Sequence, residues 1–239
     1  MQACDILQGL PFPDNTFDVV YHSHVLEHLP KNEAPGFVKE CFRVLNPGGI
    51  LRIVIPDLEE ITREYLRQLE ANIENMDERT EANYDWIMLE LLDQMVRNHS
   101  GGDMGKYLRQ PEMINEPYVT DRVGIKARRI RKQVAARKDT VPAKPSIRSK
   151  VRQSISSIST QFIPKAGKAS EFRQRGEVHL WMYDRFSLAR LLTQAGFMNI
   201  ESLSPTDSHI PEWSRYELDI KNGEAFDPKS LFMEATKPG

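Results

Sequence analysis

Hydrophobic and polar positions along this chain change their period several times, and each change marks an element. The run FDVVYH, Phe17 to His22, is a β-branched and aromatic block of the kind that makes a buried strand, and the cluster Pro11, Pro13, Asp14 and Asn15 before it reads as a turn. From Glu33 to Leu45 the apolar residues Ala34, Phe37, Val38, Cys41, Phe42 and Leu45 recur at helical spacing, until Asn46-Pro47-Gly48-Gly49 stops them. ILRIVIP, Ile50 to Pro56, then restores strand character. Strand, helix, glycine turn and strand make a βαβ unit, whose two strands are expected to be parallel.

Beyond Asp57 the pattern lengthens. Leu58, Ile61, Tyr65, Leu69, Ile73 and Met76 predict one face of a helix, and Tyr84, Ile87, Met88, Leu91, Leu92 and Met95 predict a second, ended by Gly101-Gly102. Between residues 103 and 175 only GIKARRIRKQVAARK reads as a helix, while TVPAKPSIRSKVRQSISSIST holds few large apolar residues and is expected to be mobile. Order returns at Gly176: Ser187 to Ala195 is an amphipathic helix capped by Gly196, and FMNIESLS and SLFMEAT read as two further strands.

Charge changes this picture in one place. The 239 residues carry a formal net charge of -2, yet Arg122 to Arg175 holds 16 Lys and Arg against two acids, Asp139 and Glu171. Such asymmetry marks a segment with its own partner or its own solvated role. The two cysteines, Cys4 and Cys41, form no framework and no CxxC pair, and the first ten residues lack a secretory pattern, so a reduced, cytoplasmic setting is expected.

Taken in order, Asp5, LPFPDNTFDVV, HVLEHL, ECFRVLNPGGILRIVIPD and the tail DRFSLARLLTQAGF with its two strands resemble the second half of the class I methyltransferases that use S-adenosylmethionine. The resemblance implies an α/β, doubly wound, Rossmann-like sheet truncated at its N-terminus, with core segments 1–57 and 176–239 separated by a helical and basic insertion, 58–175. It implies S-adenosylmethionine as cofactor, with Asp5 accepting from the adenine amino group, the backbone of Ile6 meeting a ring nitrogen, and His22 and Ser23 beneath the methionine part. His24, His28 and His179 are then candidates for a base acting on a hydroxylated acceptor, and a glycan or small molecule is the expected substrate class. The family's glycine-rich turn and the acid that follows its second strand have no counterpart here, because Gly48-Gly49 lies between helix and strand and Gly101-Gly102 after a helix. A reading frame begun at an internal Met is the expectation that accounts for this, with MQACDIL as the tail of a third strand.

Other readings compete. Asp5 caps a turn, His28 caps or packs a helix start, and His179 wedges beside Trp181 in the plainest view of each. HVLEH matches the H-x-x-E-H zinc pattern, with His24 and His28 as ligands and Glu27 as base, but that motif needs one continuous helix and here follows a strand, so no metal is expected. A methyltransferase-like fragment without catalysis, dependent on a partner, is the alternative function. Its basic segment 122–175 would meet an anionic membrane surface; nucleic acid is disfavoured because no aromatic residue stands between Arg122 and Gln161.

Overall fold

The computed structural model describes residues 5–138, 172 and 176–239. Its centre is a four-stranded sheet of β1 (Phe17–Ser23), β2 (Leu45–Pro56), β3 (Met198–Leu203) and β6 (Ser230–Thr236) in the order β1-β2-β6-β3. β1 and β2 run parallel, with Val20 opposite Leu51 and Ser23 opposite Val54, and β6 runs antiparallel to both β2 and β3. Two two-residue strands, β4 (Ile220–Lys221) and β5 (Glu224–Ala225), make a separate hairpin. The sheet is therefore mixed: the parallel βαβ unit stands as its pattern predicts, and an antiparallel strand closes it.

The period of two decides the faces. Leu51, Ile53 and Ile55 of β2 and Leu231, Met233 and Ala235 of β6 join Phe37, Val38 and Cys41 of α1 (Ala34–Val44) and Leu188 and Leu192 of α7 (Arg185–Ala195) in the main core. Residues between them face the other way. There Arg52, wholly buried, donates to Asp219 and Glu234 at 2.8 and 2.7 Å and lies 4.6 Å from the Trp213 ring. Both carboxylates are met, so the buried cation is compensated and the 204–219 loop is tied onto the sheet.

The helical layer lies apart from this core. α2 (Leu58–Glu74) begins on the Asp57 cap, and α3 (Glu78–Val96) begins on a capping box of Asp77 and Thr80. Ile61 and Ile87 pack with Met182, whereas Ile73 and Met76, expected on the buried face, are 76 % and 68 % exposed. Ile73 lies in the last turn of α2 and Met76 beyond its end, and no core cluster among the described residues extends to them. Gly101 and Gly102 do not end the second helix as expected, since α3 stops at Val96 with Arg97 as its cap. At φ of 76° and 56° they open α4 (Gly102–Leu108), and a Cβ on Gly102 would collide with the Asp93 carboxylate. α4 and α5 (Glu116–Val123) were not legible in the pattern; α6 (Ile125–Lys138) was. Trp86, Leu108, Val119 and Ala127 form their shared core. The stretch TVPAKPSIRSKVRQSISSIST lies outside the described residues, as do residues 1–4 of the expected third strand. Ile6–Gln8 of that strand form a 3-10 turn, because the Asp5 carboxylate accepts from the Leu7 amide and holds the chain bent.

Chain exit and return meet at one point. The sequence leaves the sheet at Asp57 and comes back at Tyr183, which bridges Asp57 in parallel and accepts from the Leu58 amide at 2.9 Å.

Candidate functional site

The carboxyl ends of β1 and β2 and the amino end of β6 lie together, since Ser23 pairs with Val54 and Pro56 with Ser230. Parallel strands leave their ligand crevice at this end. His24 stands just past β1 with φ of 52°, its amide donating to the Val54 carbonyl at 2.8 Å. Its Nδ1 lies 3.0 Å from Glu27 Oε1, and its Nε2 lies 3.5 Å from Asp227 Oδ2 and 3.4 Å from Ser230 Oγ. Burial alone would discharge this imidazole, but hydrogen bonds and charge from Asp227 and Glu27 outweigh it and raise the pKa to about 9. His24 is thus an imidazolium at neutral pH, a fixed charge with no lone pair to offer as a base.

Glu27 is the hub. It sits in the 3-10 turn Leu26–His28, is fully buried, and its backbone carbonyl accepts from Leu180 and Trp181 at 2.7 and 3.2 Å. Those bonds lay the returning segment, residues 176–183, across the turn. His28 Nδ1 then meets the Val178 carbonyl at 3.1 Å, and the His28 and His179 rings stand edge to face with centroids 4.9 Å apart. The His179 amide donates to the Gln94 carbonyl of α3, so the helical layer also bears on the site. Desolvation first, then the charges of His28 and His24, lower the His179 pKa to about 3 and keep that ring neutral. Glu27 Oε2 and His179 Nδ1 are buried without a hydrogen-bond partner among the described residues.

The structure therefore brings His24, His28 and His179, three residues chosen from the sequence as candidates, into one cluster with Glu27 between them. Asp227 and Ser230 also belong to it, and nothing in their local sequence marks them. The remaining candidates lie elsewhere. His22 is buried within β1, its ring 5.2 Å from Phe37 on the α1 side, and both of its nitrogens lack a partner among the described residues; burial lowers its pKa to about 4. Ser23 ends β1. Asp5 is exposed and occupied as the cap of its turn, and Ile6 packs against the main core. The H-x-x-E-H set does not form, since residues 24–28 span a strand end and a 3-10 turn and His24 points to Asp227.

These residues fit S-adenosylmethionine only in part: Ser23 ends β1 at the crevice, but Asp5 is taken up as the cap of its own turn, His22 is buried toward α1, and among the described residues no glycine-rich turn follows a strand to bring backbone against the cofactor.

Comparison with known proteins bears on the same segment. The family model described as a methyltransferase domain matches residues 1–53. A probable methyltransferase, ltbC, of Aspergillus luteorubrus is 50% identical over 48 residues, 20% of this chain and 17% of the relative. A probable S-adenosylmethionine-dependent methyltransferase of Mycolicibacterium smegmatis is 47% identical over 51 residues, 21% of this chain and 19% of the relative. A sterol 24-C-methyltransferase of Schizosaccharomyces pombe is 40% identical over 68 residues, 27% and 18%. Each match spans less than a fifth of the relative's length. Among solved structures, the putative methyltransferase of Haloferax volcanii in complex with the activator Trm112 aligns over 98% of this chain and 59% of its own, at 10% identity and a TM-score of 0.36. The fold assignment rests instead on the parallel β1-β2 pair, its connecting helix and the site at the strand ends. Motifs and family match agree that residues 1–53 are similar to part of a methyltransferase domain.

Proposed function

We propose that this chain serves S-adenosylmethionine-dependent methyl transfer to a hydroxylated small molecule or glycan, with the acceptor held at the strand ends beside His24, Glu27, His28 and His179. The observation that carries this reading is the convergence of those four residues beyond β1 and β2, within and next to the segment that matches the methyltransferase family. The cofactor's sulfonium activates its own methyl group, so the protein's share is to place the acceptor, exclude water and set the local charge. His24 is held between two acids, Glu27 and Asp227, so the carboxylates outnumber the one imidazolium and the site suits a neutral, hydroxylated acceptor better than an anionic one. Residues 58–138 reach the site through Gln94 and support a role in choosing the acceptor. The sterol and quinone methyltransferases among the relatives methylate carbon by name, and the alternative acceptor is a carbon nucleophile of that kind.

Calorimetry with S-adenosylhomocysteine tests the cofactor half of the proposal. Saturable binding weaker than micromolar is expected, because the glycine-rich turn is absent from these residues, and Asp5→Ala should weaken it by the cost of about one hydrogen bond, about 1 kcal/mol. No saturable binding at any concentration would overturn the proposal for this chain.

A further inference from the structure

We propose that Glu27, His28 and His179 form a binding site for a divalent transition-metal ion of the zinc class. Each offers a ligand atom, and these atoms lie within 4.8 Å of one another. Two imidazole nitrogens and one carboxylate oxygen are a donor set that zinc accepts, with a fourth position left for water or another oxygen. Around zinc such atoms stand about 3.3 Å apart, so binding draws the three inward by small side-chain rotations.

Two independent features point at an ion. Glu27 is fully buried and His179 is 5 % exposed, yet Glu27 Oε2 and His179 Nδ1 have no hydrogen-bond partner among the described residues. Buried polar atoms are seldom left so, and a cation between them satisfies both. The second feature is the surrounding support. His28 Nδ1 is engaged with the Val178 carbonyl, which leaves Nε2 with its lone pair for an ion, and Glu27 Oε1 is held by His24. Outer bonds of this kind fix tautomer and orientation at metal sites. Arg97, the nearby cation, is itself paired with Asp93 at 2.8 Å and with Glu177 at 3.6 Å. This ligand set differs from H-x-x-E-H: His24 stays outside it, and the third ligand comes from 151 residues downstream of His28.

The test uses the untagged full chain stripped by a chelator, with zinc titrated against a chromophoric competitor and cobalt(II) as a spectroscopic probe. One equivalent of zinc per chain is expected, with visible cobalt bands of a low-coordinate nitrogen and oxygen site. His28→Gln and His179→Gln should each weaken zinc binding at least about tenfold, and His99→Gln and His209→Gln, outside the cluster, should leave it unchanged. Zinc uptake by the wild-type chain that survives in a folded His179→Gln variant, or no uptake at all, would overturn the site. Should a variant fail to fold, wild-type cobalt spectra decide: bands support the site and their absence removes it. Ion uptake is read without cofactor or acceptor, so it stands or falls apart from methyl transfer.

Discussion

Single residues carry the clearest consequences. His22 is neutral in the folded chain because burial opposes its charge, with a pKa lowered to about 4 from 6.5. Above pH 6.5 neither state binds the proton and the group adds no pH dependence. As pH falls from 6.5 towards 4 the unfolded chain takes up a proton that the folded chain refuses, so stability is lost across that window. His22→Phe, which matches the apolar wall at Phe37, should therefore show a flatter fall in melting temperature between pH 7 and pH 4 than the wild type. Parallel curves would show that the ring is not buried neutral in solution. The neighbouring sequence FDVVYH foretold the strand but not this titration, because alternation assigns His22 a face and only packing shows that the face is closed.

Elements are joined by a few buried charges. Arg122, at the end of α5, donates to Glu60 of α2 at 2.7 Å and to Glu90 of α3 at 2.8 Å, and is 5 % exposed. Removing one partner of a buried pair strands the others, but Glu60 is 34 % exposed and water recovers part of its loss. Arg122→Met should lower stability by about 2–3 kcal/mol, read as a lower urea midpoint, and an unchanged midpoint would remove this clamp from the account. Periodicity placed Ile61 and Ile87 rightly and misjudged Ile73, Met76 and Leu92, which are exposed, because a 3.6-residue period marks a face without saying whether anything covers it. α4 and α5 escaped the pattern for a related reason: short helices rest on tertiary packing, here around Trp86 and Val119, more than on their own sequence.

At the scale of the molecule, the charge asymmetry is the feature with most at stake. Within the described residues Arg122, Arg128 and Arg131 are committed to Glu60 and Glu90, Glu224 and Glu116, so the basic excess there is partly spent inside the fold. No helix among the described residues is long and apolar enough to cross a membrane. We infer that what remains of the excess in 122–175 meets an anionic surface from outside. Vesicles containing phosphatidylserine should capture the chain at low salt and release it as salt rises, since exposed charges are screened within about 10 Å at 0.1 M. Absence of capture at low salt would leave the segment as a solvated insertion.

The sequence by itself determined the βαβ unit, the helix and strands that close the sheet, the methyltransferase likeness of the first 53 residues and three histidines worth watching. Those follow from local period, caps and turn residues, which act over a few positions. Tertiary structure alone decided that Glu27 would be the hub, that Asp227 and Ser230 would join His24, and that Arg52 in the middle of a strand would be buried against Asp219 and Glu234. Each of those contacts beyond the His24–Glu27 pair joins distant stretches of chain, and its energy depends on burial and exact neighbours that no local pattern encodes. His28 and His179 stand at opposite ends of a long excursion, and only its return along the Glu27 turn, fixed by the hydrogen bonds of Leu180 and Trp181, brings their rings together.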